Sequence, residues 1–167
     1  MKAREEDFLE LIKQHERLIY KVSFNYCRYA KDREDLVQEI IFQLWNSYPG
    51  FKPDFKVSTW MYKVALNTAV SFYRKHGKKK EQEIALDDSN IHSLQTASTD
   101  SKDEQLKILE GFIQELEPVN KALIILQLEG ESIASIAQIV GLSETNVATK
   151  LSRIKKSLAQ KFKSQNI

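Results

Sequence analysis

The chain has 167 residues, 42% of them hydrophobic, and its 25 Lys and Arg against 23 Asp and Glu leave a net charge of +2. That length allows one domain or two small ones, and the apolar content excludes a chain disordered throughout. No run approaches the roughly 18 apolar residues of a membrane-spanning helix, and a single cysteine, Cys27, excludes an internal disulfide or a Cys-cluster zinc site.

The N-terminal MKAREEDF places acids where a signal peptide carries its apolar stretch, so a cytoplasmic protein is expected, without stable membrane insertion. Five Gly and three Pro leave few turns, and an all-α fold follows. In residues 5–29 the apolar side chains Phe8, Leu11, Ile12, Leu18, Ile19, Val22 and Tyr26 fall at helical spacing, with His15 among them. Residues 32–47 repeat the pattern with Leu36, Val37, Ile40, Ile41, Leu44 and Trp45, until Pro49-Gly50 stops it. Residues 51–57 form a loop. Ser58 or Thr59 then caps a third helix to about Lys75, which carries Trp60, Met61, Val64, Ala65, Ala69 and Phe72. These three helices make a first unit, residues 1–80, holding 16 basic and 10 acidic residues.

Residues 81–104 reverse the sign, with one basic and seven acidic residues and few apolar ones. Such a stretch buries too little surface to offset its ordering entropy. It is expected to be a flexible acidic linker, whose 24 residues extend at most about 80 Å. The C-terminal unit, residues 105–167, is basic again, and helices are expected at 104–116, 118–128, 132–140 and 143–163, with Pro118 in a first turn.

The segment ESIASIAQIVGLSETNVATKLSRIKKSL is the most specific local signal. A short helix holds Ile133, Ile136, Ala137 and Val140. Gly141 follows where a tight turn needs positive φ. Ser143 caps a second helix whose inner stripe is Val147, Leu151, Ile154 and Leu158. The spacing fits a helix-turn-helix. Its outer face carries Asn146, Thr149, Lys150, Ser152 and Arg153, and residues 145–167 hold six basic residues and no acid, which suits a major groove. A helical hairpin with a solvated Lys face is the plainer alternative. A second basic cluster, SFYRKHGKKK at 71–80, contains Phe72 and Tyr73 and lies downstream of Phe51, Phe55, Trp60 and Tyr62. Aromatics interleaved with cations suit unstacked bases, although aromatics at helical spacing also make ordinary core.

The stretches DREDLVQEIIFQLWNSYPGF and STWMYKVALNTAVSFYRK resemble the promoter-melting domain of bacterial sigma factors, and the helix-turn-helix resembles their second promoter-reading domain. With two domains and a short linker, the chain resembles the extracytoplasmic-function (ECF) group. The resemblance covers residues 8–78 and 105–163. It implies a factor that binds core RNA polymerase, recognises the minus-ten and minus-thirty-five promoter elements and promotes melting. Asp35, Gln38 and Glu39 would dock on the β′ clamp helices, on the helix face opposite Leu36, Ile40 and Leu44, and the β subunit would complete the polymerase contact. Phe51, Lys56, Trp60, Lys63, Asn67 and Arg74 would contact the minus-ten strand and hold a flipped base. Asn146, Thr149, Ser152 and Arg153 would face the minus-thirty-five duplex, with Lys150, Lys155 and Lys156 on phosphates. An anti-sigma factor is a further implied partner, and apolar surface between the domains would suit one. The family often has Thr at the position of Asn146 and a basic residue at that of Ala148, so a different minus-thirty-five preference is implied. The acidic linker would follow the RNA path of the polymerase, its charge imitating RNA.

An enzyme is not expected, and neither is a cofactor or metal. His15 sits in an apolar stripe, His76 in a Lys run and His92 in the linker, none with patterned partners, and there is no Gly-rich phosphate loop. The alternatives are a stand-alone helix-turn-helix regulator and a protein-interaction module.

Overall fold

The computed structural model describes residues 2–52, 54, 56–77 and 101–165, and every regular element among them is helical. The single helix expected over 5–29 is two: α1, Lys2–Gln14, and α2, Glu16–Tyr26. His15 leaves the helical region (φ −119°, ψ 19°) and its ring Nδ1 lies 3.1 Å from the Leu11 carbonyl oxygen. The apolar spacing runs across the break because both helices bury the same side of the bundle, Phe8 from α1 and Leu18, Ile19, Val22 and Tyr26 from α2. Helix α3, Ala30–Ser47, buries Leu36, Ile40 and Leu44. Arg33 closes the α2–α3 connection by donating to the carbonyls of Cys27 (3.1 Å) and Arg28 (2.7 Å). A 3₁₀ turn at Tyr48–Gly50 ends α3.

Helix α4 runs Val57–Phe72. Its N-cap is Lys56, in extended backbone with no side-chain cap bond, so Ser58 and Thr59 lie inside the first turn and do not cap it. A π-helical turn, Tyr73–Gly77, takes over before Lys75.

Helix α5, Ser101–Glu115, starts inside the segment read as linker. Asp103 and Glu104 in its first turn suit the positive end of the helix dipole. Residues 81–100 lie outside the described residues. Helix α6, Pro118–Leu128, has Pro118 at its first position, where the missing N–H costs nothing. Helix α7 is Ile133–Val140, and Ser132 Oγ accepts the Ser135 N–H at 3.1 Å. Gly141 takes φ 74°, a left-handed conformation that side chains with a Cβ rarely adopt. Ser143 Oγ then accepts the Asn146 N–H at 3.1 Å and opens α8, Glu144–Gln165. Val147, Leu151 and Ile154 are buried. Ile133 of α7 is 40% exposed, and Ile139, which the apolar spacing did not single out, is buried.

The two helical units, α1–α4 and α5–α8, share one connected core. Helix α7 packs against α4, α6 also touches α4, and α5 touches α2. Polar groups tie the boundary. The last carbonyls of α2, which have no partner within their own helix, accept from the other unit: Phe24 O from Gln114 Nε2 (3.3 Å) and Asn25 O from Lys121 Nζ (2.9 Å). Tyr26 returns its hydroxyl to the Pro118 carbonyl at 2.7 Å. Lys121 is only 3% exposed, and its ammonium lies over the rings of Tyr26 (5.1 Å) and Tyr73 (5.7 Å). Lys21 and Glu129 form an ion pair at the rim.

Candidate nucleic-acid interface

Three surfaces gather the residues singled out in the sequence. The first is the outer face of α8. Asn146, Thr149, Ser152, Arg153, Lys155 and Lys156 are exposed and Lys150 is half-buried. The buried stripe opposite orients them outward. Thr149 Oγ1 donates to the Thr145 carbonyl at 2.9 Å, which leaves its methyl and lone pairs toward solvent. Gly141 sets the angle between α7 and α8, so the turn aims this face.

The second surface is a stripe along α4. Lys56, Trp60, Lys63, Asn67 and Arg74 recur at three-, four- and seven-residue steps, which aligns them on one side of the helix and the turn beyond it. Lys56, Lys63, Asn67 and Arg74 are exposed, and Trp60 and Phe51 are half-buried. Trp60 is held in an aromatic cluster: the Phe51 ring lies 4.8 Å away and Tyr48 6.3 Å, and Tyr48 and Trp45 both contact Phe8, at 5.3 and 5.0 Å. A half-buried indole held by neighbouring rings keeps a fixed orientation, as base stacking requires. Phe55 lies outside the described residues. Tyr62 does not belong to the platform. It is buried, and its phenol is pushed up to about 12, first by burial and then by the Glu131 carboxylate. Phe72 instead stacks with His76 at 4.5 Å, and Tyr73 faces Lys121.

The third surface is the polar side of α3. Asp35, Gln38 and Glu39 are exposed, opposite the buried Leu36, Ile40 and Leu44, and Gln43 Nε2 donates to Glu39 Oε1 at 3.0 Å. These residues form one wall of a groove of about 1000 Å³ whose other wall is α4 and its π-turn, with Asn67, Thr68, Ser71, Phe72, Lys75 and His76. The structure thus brings Asn67 beside the acidic face, which the sequence treated as a separate site. The sequence reading missed Phe42, 55% exposed and lining this groove, and Ser71, one turn beyond Asn67. An unexplained Phe on the polar side of α3 was the available signal. One wall of the groove is acidic, with Asp35 and Glu39, and the other carries the cation Lys75.

A second groove, about 1030 Å³ and mostly apolar, lies between the units. Tyr20 and Phe24 of α2, Val37 of α3, Leu106 and Leu109 of α5 and Leu128 of α6 line it, four of them among the exposed large apolar residues. Among the described residues no group of three or more His, Cys, Asp or Glu could hold a metal ion, and no helix is long and apolar enough to cross a membrane.

Comparison with known proteins matches sigma-70 region 2 to residues 11–79 and sigma-70 region 4 to residues 106–158. The first match contains α3 and α4, the second the helix-turn-helix. The chain is 31% identical to the RNA polymerase sigma factor SigV of Bacillus subtilis over 85% of its own length and 82% of that protein's. It is 24% identical to the ECF RNA polymerase sigma-E factor of Haemophilus influenzae over the same shares. Among solved structures, the sigma factor RpoE of Bartonella quintana, in complex with the anti-sigma factor NepR, has a TM-score of 0.64 at 20% identity and covers 98% of both chains. CnrH, in complex with the cytosolic domain of CnrY, has a TM-score of 0.66 at 17% identity over 96% of this chain and 90% of that one. These two likenesses extend across both helical units.

Proposed function

We infer the division of labour within this chain from one premise: it belongs to the sigma factors of bacterial RNA polymerase, in their two-domain ECF group. Its function is promoter recognition and transcription initiation with core polymerase. The residues that carry each task are our assignment. Asp35, Gln38 and Glu39 dock on the β′ clamp helices. An acidic face on a rigid helix pairs with basic partners without reordering. Lys56, Lys63 and Arg74 track the phosphates of the minus-ten strand, Trp60 and Phe51 stack on it, and Asn67 reads a base edge with its amide. Asn146, Thr149, Ser152 and Arg153 enter the major groove of the minus-thirty-five element, and Lys150, Lys155 and Lys156 hold its phosphates.

The chain contributes binding energy and leaves phosphodiester synthesis to the polymerase, so it acts in the cytoplasm without an active site of its own. Residues 1–80 and 105–167 are the two working domains, and 81–104 connects them. An anti-sigma factor is the partner assigned to the apolar groove between the units. Support comes from the two solved neighbours, each complexed with a partner, RpoE's being an anti-sigma factor. The observation that carries the reading is the coexistence, on one chain, of an outward basic helix-turn-helix face, an aromatic–cationic stripe and an acidic docking face. Run-off transcription with core polymerase tests it. Promoter-specific transcript should depend on added protein. A chain that shifts promoter DNA alone but adds no transcript with core would instead be a stand-alone helix-turn-helix regulator.

A further inference from the structure

Thr149 differs from the other polar residues on the outer face of α8 in having its hydroxyl already engaged. Its Oγ1 donates to the Thr145 carbonyl, one turn back, at 2.9 Å. The side chains of Asn146, Ser152 and Arg153 make no hydrogen bond among the described residues. A Thr in a helix divides between two χ1 settings, and a bond to the carbonyl of the preceding turn selects one of them. That bond draws the oxygen of Thr149 in against the backbone. The methyl occupies the other branch of Cβ and is held there, on a residue that is exposed.

Ser152 and Arg153 follow three and four residues later, both exposed, so Thr149 shares the face assigned to base edges. Ala148, its neighbour in sequence, is exposed too and adds no polar atom. Four residues of helix rise about 6 Å, and base pairs stack at about 3.4 Å. Thr149 and Arg153 therefore address different base pairs. In the major groove guanine shows acceptors at N7 and O6, thymine an acceptor at O4, and adenine and cytosine amino donors; the apolar feature is the C5-methyl of thymine. A hydroxyl whose proton is spent on the backbone has none left for guanine or for thymine O4. What Thr149 holds outward is a methyl of fixed position. We propose that Thr149 selects thymine at one position of the minus-thirty-five element by contact between the two methyl groups, its hydroxyl serving the helix and not the DNA. The inference rests on α8 being the reader of that element and names the group that Thr149 reads there.

The test uses core polymerase reconstituted with the full chain. This holoenzyme first selects its minus-thirty-five element from a randomised duplex library. Each thymine of the selected element is then replaced singly by uracil, which differs only in lacking the 5-methyl group. At one position the exchange should weaken binding about fourfold, the equivalent of one methylene taken out of water. A selected element without thymine, or one in which uracil is tolerated at every position, overturns the proposal. A holoenzyme that selects no element at all would overturn the assignment of α8 instead.

Two variants, each checked for helicity by circular dichroism, tie the effect to the side chain. Thr149→Ser keeps the hydroxyl and its bond to the backbone but has no methyl. It should bind the thymine and uracil duplexes equally, at the level of the wild type on uracil. Thr149→Val keeps the methyl and loses the hydroxyl, and it should retain the preference of about fourfold for thymine. The pair also separates the methyl from the one rival role left to the oxygen, accepting a proton from an adenine or cytosine amino group. A thymine preference that survives in Thr149→Ser, or that vanishes in Thr149→Val, overturns the role of the Thr149 methyl.

Discussion

Arg153 projects from α8 two turns after Asn146, exposed, with the core stripe behind it. Among the described residues nothing pairs with it, so its guanidinium keeps the planar fork that matches one guanine edge. Arg153→Ala is expected to weaken minus-thirty-five binding by about 1–3 kcal/mol and to relax preference at one base pair. Binding to a library of duplexes at two salt concentrations checks this. Uniform loss across all sequences, with the salt slope reduced by about one, would assign Arg153 to phosphate instead. Tyr62 gives a prediction in pH. Its phenol, raised to about 12 from an ordinary value near 10, favours the neutral form in the folded state. The stability this supplies is complete below pH 10 and is lost as pH rises through 12. Urea midpoints measured from pH 9 to 12 should fall for the wild type, and Tyr62→Phe should remove about 1–3 kcal/mol of that fall. An identical pH dependence in the variant would show that Tyr62 is not the group responsible.

Helix α3 carries the clearest division of faces, three buried aliphatics on one side and three exposed polar residues on the other. Asp35→Ala with Glu39→Ala should therefore leave the melting temperature within a degree or two of wild type. The pair should weaken core polymerase binding by about 2 kcal/mol, roughly thirtyfold in Kd. A competition assay against unlabelled wild type decides, and equal competition removes α3 from the docking surface. Elements of this kind were legible in the sequence because burial alone sets their pattern: α6 begins at Pro118, Ser143 caps α8, and Gly141 turns between α7 and α8 as its φ requires. Three features were not. The break at His15 involves no Gly or Pro, and the apolar register passes through it unchanged. Helix α4 starts at Val57 after an N-cap, Lys56, whose side chain makes no capping bond, so no capping residue marks it. Phe42 and Asn67 share a groove only because α3 packs on α4, a neighbourhood that no single-helix periodicity encodes.

At the level of the molecule, the sequence divides into two units by composition, and the shared core joins them again. Besides that core, the boundary holds residues of types that ordinarily face water, such as Gln114 and Lys121; Lys121 is the extreme case, since nothing in a Lys announces burial. One core predicts one transition. Calorimetric and van't Hoff enthalpies of unfolding should agree. Leu126→Ala in α6, fully buried, should lower the single midpoint by about 5–15 °C, from about 2–5 kcal/mol spread over a chain of this size. A second transition that stays at the wild-type temperature would mean that the units unfold independently.

The aromatic cluster around Trp60 gives the molecule an optical asymmetry. Both tryptophans of the chain, Trp45 and Trp60, belong to the promoter-melting half, and the helix-turn-helix half has none. Intrinsic fluorescence is therefore blind to the minus-thirty-five reader. Trp45 contacts Phe8 and the Arg4 guanidinium, and Trp60 contacts Phe51 and Tyr48; both indoles are half-buried. On the assignment of Trp60 to the minus-ten strand, a base stacking on it should quench its emission more than that of Trp45, so capture of the melted strand could be timed without attaching a dye.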